Sequence, residues 1–169
     1  RIAGAGVLEP QLRAMVSELH LDGCVQLLGS LRPEQVRCEM ERSRIFLLTS
    51  DRREGWGAVL NEAMNSGCAV VASDAVGATP FLVKDGVNGS VYHSGDTQEL
   101  YEKVRRLLDD TAAQECFGKN AYETITDTWN AQVAAGRLCE LIRAILAGDP
   151  SPKFYLKGPC SCARRTEND

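Results

Sequence analysis

The chain holds only two histidines, and neither has the neighbours that proton-transfer chemistry requires. His20 closes a helical stretch between Leu19 and Leu21, and His93 follows a strand in "VYHSGD". No Ser-His-Asp or Cys-His arrangement can be built around either, which argues against general acid–base catalysis by these groups. Long apolar runs are also missing: none approaches the roughly 20 residues that a membrane-spanning helix needs. Positive charge is not concentrated. The formal net charge is -4. The basic pairs Arg52-Arg53, Arg105-Arg106 and Arg164-Arg165 are not interleaved with aromatics, so no nucleic-acid partner is expected. Internal repeats and low-complexity tracts are absent, and no secretory leader is visible. The opening "RIAGAG" reads as the middle of a strand, so the chain is expected to be truncated at its N-terminus.

Cysteine, by contrast, is plentiful, with seven in all. The number is odd and the chain is not small, which favours free thiols in a reducing cytoplasm over a disulfide framework. Cys24, Cys38, Cys68, Cys116 and Cys139 fall in apolar or helical segments, where a thiol behaves as a small buried hydrophobe. Cys160 and Cys162 are one residue apart in "GPCSCA". Zinc sites use C-x2-C with a second pair, and none is present, so no metal site is expected.

With 44% hydrophobic and 25% charged residues, the 169-residue composition is that of one ordinary globular domain with a real core. β-rich runs alternate with helical ones. "RIAG", "CVQLLG", "RIFLLTS", "CAVVAS" and "GSVYH" read as strands. "RIFLLTS" is apolar enough to be buried on both faces of a parallel sheet. Between them lie helices at "EPQLRAMVSELHL", with Leu12, Met15, Val16 and Leu19 on one face, at "RPEQVRCEMERS", at "AVLNEAMNSG", and a short one at "TPFLVKDG". A helix capped near Asp96 is expected to bury Leu100, Val104, Leu107 and Leu108, and two more helices follow near residues 112–126 and 130–147. The implied fold is α/β, Rossmann-like: a right-handed, doubly wound domain on a mainly parallel sheet over residues 1–149. Residues 150–169 read as a tail, packed in part through Phe154 and Tyr155.

Such sheets bind ligands beyond the carboxyl ends of their strands. Two turns lie there. In "AGAGVLEP", Gly4 and Gly6 suit a phosphate- or sugar-contacting turn, but the third glycine of the dinucleotide fingerprint is missing and Asp22 has no clear partner pattern. A plain strand-to-helix turn is the alternative. In "REGWGAVLNE", Gly55 and Gly57 let the backbone bend and bare its amides at the start of a helix, where the helix dipole favours an anion. Glu54 precedes the helix. Glu62 sits in its second turn, beyond the small Ala58. Two carboxylates flanking a set of amides suit a ligand with phosphate in the middle and polyols at both ends, which is the shape of a nucleotide sugar. The spacing equally allows Glu54 to be an electrostatic cap and Glu62 a solvated surface acid. Trp56 reads as a packing residue at the bend rather than a base-stacking platform.

Taken together these residues resemble the retaining nucleotide-sugar glycosyltransferases of family 4, whose fold is the two-lobed GT-B. The resemblance rests on "EGWGAVLNEAMNSGCAVVAS" and "DAVGATPFLVKDGVNGSVYHSGD", with support from "AGAG", "VQLLGSLRPEQV" and "RIFLLTS". It implies that residues 1–149 are the C-terminal, donor-binding lobe of a hexosyltransferase. Glu54 would contact hydroxyls of the transferred sugar and be the catalytic-site acid. The amides of Gly55, Trp56, Gly57 and Ala58 would hold the sugar and diphosphate, and Glu62 would bond the ribose. The loop at residues 29–32, beginning with Gly29, would lie against the base, and Gly4 and Gly6 would border the phosphate pocket.

The resemblance also implies transfer with retention at the anomeric carbon, no cofactor beyond the nucleotide-sugar donor, and no essential metal. A glycan or lipid-linked acceptor would bind an N-terminal lobe, in polysaccharide biosynthesis, with the protein cytoplasmic and peripherally associated with the inner face of the membrane. The basic pair that steadies the diphosphate in the family would lie before Arg1, so this piece alone would not catalyse transfer. Two departures stand out: Ala78 where a second glycine is usual, and Phe81 where an acid is common. Arg52 and Arg53 also crowd the loop before Glu54. A sugar-nucleotide epimerase and a noncatalytic nucleotide-binding α/β module are the competing readings.

Overall fold

We describe the fold from a computed structural model of the chain, which covers residues 1–152 and 155–161. Among the described residues, five strands alternate with five helices, and two further helices follow, as the sequence pattern predicts. In chain order they are β1 (Ile2–Ala3), α1 (Glu9–Glu18), β2 (Leu27–Gly29), α2 (Pro33–Glu41), β3 (Ile45–Leu48) and α3 (Ala58–Asn65). Then come β4 (Ala69–Ser73), α4 (Thr79–Leu82), β5 (Ser90–Tyr92), α5 (Thr97–Asp109), α6 (Thr111–Asp127) and α7 (Ala131–Leu146).

All strand pairs are parallel, but the strands form two sheets rather than one. β1 pairs with β2, while β3, β4 and β5 form a second sheet in that order. β4 is the middle strand, and all five of its residues are fully buried. Alternation splits its side chains between two cores. Val70 and Ala72 face a cluster with Leu60 and Met64 of α3 and with Ala121 and Ile125 of α6. Ala69 and Val71 face Tyr92, Leu107 and the partly buried Leu100 and Val104 of α5.

Polar side chains start the last three long helices. Asp96 accepts from the Glu99 amide, Asp110 from Ala113 and Asn130 from Val133, each at 2.9 Å. Each bond satisfies one of the amides left over at a helix start. At the other end of α3 the chain turns at Gly67, with φ +76°, and Gly118 of α6 packs on it so closely that a Cβ there would sit 2.3 Å from the Gly67 carbonyl oxygen.

Several expectations about burial are corrected. β3 has a strand partner on one side among the described residues, and Leu47 is 43% exposed, so it is not buried on both faces. β2 is half-buried. On α1 no residue is buried: Met15 is exposed, as is Leu19 just past its end. Leu108 lies on the solvent side of α5. Of the five thiols read as buried, only Cys68 is; Cys24, Cys38, Cys116 and Cys139 are exposed. Cys24 lies in the turn between α1 and β2, and Cys38, Cys116 and Cys139 fall on open faces of α2, α6 and α7, since helical periodicity sets which face a residue occupies.

All six cysteines among the described residues are free thiols. The Cys68 thiol meets the Met40 carbonyl at 3.2 Å, and burial pushes its pKa up to about 11. Part of the tail packs back: the Tyr155 ring lies 4.0 Å under the Arg137 guanidinium. Phe154, Cys162, Arg164 and Arg165 lie outside the described residues. Among the described residues no helix is long and apolar enough to cross a membrane.

Candidate functional site

β3 delivers the chain to the carboxyl edge of the second sheet, and residues 49–57 form the loop that leads into α3. Its first part is an Asp-centred turn. Asp51 accepts from the Arg53 amide at 2.9 Å and from the Arg53 guanidinium at 3.1 Å. Those bonds, the amide first, hold the Asp51 carboxyl below its usual range. The Glu54 amide closes the turn onto the Asp51 carbonyl at 3.0 Å. Thr49, Ser50, Asp51, Arg53 and Glu54 line a shallow hollow of about 510 Å³.

The second part, residues 54–57, is held by backbone from another element. The Gly77 amide donates to the Gly55 carbonyl at 3.0 Å, and the Ala78 amide donates to the Trp56 carbonyl at 2.8 Å. A trans peptide is planar, with its C=O and N–H pointing opposite ways. Tying down the carbonyls of Gly55 and Trp56 therefore aims the amides of Trp56 and Gly57 away from residues 76–78. Among the described residues, the amides of Gly55, Trp56, Gly57 and Ala58 donate no hydrogen bond to the protein. The N-cap of α3 is Gly57, left-handed at φ +77°, and no side chain caps this helix. A run of open donors thus coincides with the positive end of the α3 dipole, the physical recipe for an anion site.

Glycine is required on both sides of this latch. A Cβ on Gly57 would meet Val76 Cγ1 at 2.6 Å, and one on Gly77 would meet the Gly55 carbonyl oxygen at 2.3 Å. Ala78, the first departure from the family pattern, keeps its amide bond to Trp56, and its methyl is fully buried. Phe81, the second, packs its ring 5.6 Å from that of Trp56, and Trp129 closes the group at 6.0 Å from Trp56. The Trp56 indole donates to Asn61 at 2.9 Å. Trp56 therefore packs as expected, although 42% of it stays exposed.

The predicted site residues fall into two groups. Glu54, Gly55, Trp56, Gly57 and Ala58 are contiguous at the start of α3. Glu62 stands exposed in its second turn. Gly4 and Gly29 meet on the first sheet, where the Gly4 amide donates to the Gly29 carbonyl at 2.8 Å, and the Gly6 carbonyl accepts from Glu9 at the start of α1. The sequence reading missed residues 76–78 as the backstop of the loop, and Trp129 as a member of the aromatic group. "VGATP" carried a signal, since its glycine precedes a helix; Trp129 carried none.

His93, unpartnered in the sequence reading, has a partner. Its ring nitrogen Nδ1 lies 2.7 Å from Glu99, which also accepts from the His93 amide at 2.8 Å. These contacts raise the His93 pKa and lower that of Glu99. Among the described residues no group of three or more His, Cys, Asp or Glu side chains is gathered as metal ligands.

Comparison with known proteins places the chain in a family. Residues 1–124 match the model of "Glycosyl transferases group 1". The amylovoran biosynthesis glycosyltransferase AmsK of Erwinia amylovora is 30% identical over 149 residues, covering 85% of this chain and 36% of that protein. The alpha-D-kanosaminyltransferase of Streptomyces kanamyceticus is 29% identical over 85% of this chain and 37% of its own length. The chain thus spans just over a third of these curated relatives. Among solved structures, Anabaena HepE in complex with UDP superposes with a TM-score of 0.73 at 28% identity, over 84% of this chain and 40% of that one. The parallel α/β architecture is that of a GT-B glycosyltransferase lobe, and the chain belongs to the group 1 family of glycosyl transferases.

Proposed function

We propose that this chain is the C-terminal, nucleotide-sugar-binding lobe of a retaining glycosyltransferase. The observation that carries the proposal is the row of open amides at Gly55, Trp56, Gly57 and Ala58, set at the N-terminus of α3 with Glu54 before it and Glu62 after it. A diphosphate sits on the amides, and the helix dipole offsets its charge without a metal. Glu54 accepts hydrogen bonds from hydroxyls of the sugar being transferred, and Glu62 from those of the ribose. Gly4 and Gly6, in the turn after β1, and Gly29, at the end of β2, border the phosphate and the base. Support comes from HepE, whose solved structures hold UDP and UDP-glucose.

The same donors that hold the substrate stabilise the charge that grows on the leaving diphosphate as the glycosidic bond breaks. A second lobe supplies the acceptor, a glycan or a lipid-linked sugar, and the reaction runs at the cytoplasmic face of a membrane with retention of configuration. Calorimetry with UDP, GDP, ADP and their sugar conjugates tests the donor site. The chain binds one of them, and Glu62→Ala weakens that binding about 10-fold, as expected when a charged hydrogen-bond acceptor is removed. A folded chain that binds none of them, or one whose affinity ignores Glu62, would sink the proposal.

A further inference from the structure

The donor amides have a direction, and the structure shows what sets it. The carbonyls of Gly55 and Trp56 are pinned by the amides of Gly77 and Ala78, which fixes the planes carrying the Trp56 and Gly57 N–H groups. The two bonds tie the exposed residues 55 and 56 to the half-buried Gly77 and the buried Ala78, and side chains on both segments add to that hold. Beneath Gly57 the contact is steric, through Val76. At Trp56 it is aromatic. Trp56 leans on Phe81 of α4 at 5.6 Å and on Trp129 at 6.0 Å, and Phe81 meets Trp129 edge-on at 6.3 Å, with 70° between the rings. Trp129 lies in the connection between α6 and α7, far from both in sequence.

We propose that Phe81 and Trp129 are positioning residues for the donor loop: with Trp56 they form a three-ring clamp that keeps the Gly77 and Ala78 latch closed and the loop amides aimed at the ligand. This rests on the donor-site reading above and adds to it the part of the molecule that sets affinity without touching the ligand. Phe81 takes the place where the family pattern has an acid, so this chain holds its loop by stacking from a position usually given to a charge. Trp56 and Phe81 are ill suited to be mere core. Trp56 is 42% exposed and Phe81 37% exposed, whereas the neighbouring core residues Val76, Ala78 and Leu82 are buried. Trp129 is partly buried and also packs against the main core, so Phe81→Ala is the variant whose effect on the loop is separable from the fold.

The test measures amide hydrogen exchange by NMR together with UDP affinity by calorimetry. The variants are Phe81→Ala and Trp129→Ala, beside the conservative Phe81→Tyr and Trp129→Phe. Exchange of the Gly77 and Ala78 amides quickens about twofold to tenfold in each alanine variant, the factor an aromatic pair contributes. In Phe81→Ala the amides of Val70 and Val71 in β4 keep their parent rates, and the conservative variants stay close to the parent throughout. UDP affinity falls by a similar factor, because fewer molecules hold the loop in its competent form. Unchanged exchange at Gly77 and Ala78 would overturn the clamp. So would an equal acceleration in β4 of Phe81→Ala, which would mark its ring as ordinary core. A loosened latch with full UDP affinity would overturn its link to the donor. If the parent chain binds no UDP, the uridine-donor reading fails by itself while the exchange data still decide the clamp.

Discussion

Gly118 and Gly136 both lie inside long helices, α6 and α7, and exchanging each for alanine should change stability in opposite directions. Helix propensity alone makes both substitutions favourable by about 0.5–1 kcal/mol, since alanine loses less backbone freedom than glycine on folding. At Gly136 nothing lies within 4 Å of the new methyl, so that gain is realised. At Gly118 the methyl would sit 2.3 Å from the Gly67 carbonyl oxygen and 3.3 Å from its carbon. Those atoms are backbone, at the turn that ends α3, and cannot swing aside. Overpacking of this kind costs about 1–3 kcal/mol, which outweighs the propensity gain. For a chain of this size each kcal/mol moves the melting temperature by about 2–4 °C. Thermal melts followed by circular dichroism should therefore show Gly136→Ala raising Tm by about 1–4 °C and Gly118→Ala lowering it by several degrees. A Gly118→Ala variant as stable as Gly136→Ala would refute the close α3–α6 packing on which the placement of the loop depends.

Two further predictions concern titratable groups. Cys68 is buried with its pKa pushed up to about 11, and the thiolate is the reactive form. Brief iodoacetamide treatment at pH 8 should label Cys24, Cys38, Cys116 and Cys139 and spare Cys68, as read by peptide mass spectrometry; early labelling of Cys68 would contradict the core. The His93–Glu99 contact gives a pH signature. The His93 pKa is raised, so its contribution is full below the ordinary imidazole value of 6.5 and is lost as pH rises through the folded pKa. The Glu99 pKa is lowered, so its contribution is present above the ordinary value of 4.5 and is lost as pH falls through the folded pKa. The stability difference between the parent and His93→Ala should be largest between those values and shrink towards pH 8. A difference that grows with pH would show that the pairing is absent.

The order and type of the elements were legible because each carries its own period and its own punctuation. α5 announces itself by Asp96, and β4 by an unbroken apolar run. Burial was less legible. Whether Leu47, Leu108 or the α1 face is covered depends on what packs against it, and a one-dimensional pattern names the face without naming its cover. The same limit applies to Cys24, Cys38, Cys116 and Cys139, which looked apolar by neighbourhood and emerged exposed, the first in a turn and the other three on open helix faces. At the candidate site, the open amides were foreseeable from two glycines before a helix. Their direction was not, since it is set by Gly77 and Ala78, whose bonds reach back across β4. Trp129 was invisible for a similar reason: aromatic stacking over long sequence separation leaves no periodic trace.

The central claim is that the amides of Gly55, Trp56, Gly57 and Ala58 receive the diphosphate of the donor. The most direct test is a titration of the isotopically labelled chain with UDP, read amide by amide in a 15N–1H NMR spectrum. The account predicts saturable shifts that are largest for those four amides. Smaller shifts should follow at Gly77 and Ala78, and little should change in α5. Binding that leaves the four amides unmoved, with its largest shifts instead in α5, would contradict it.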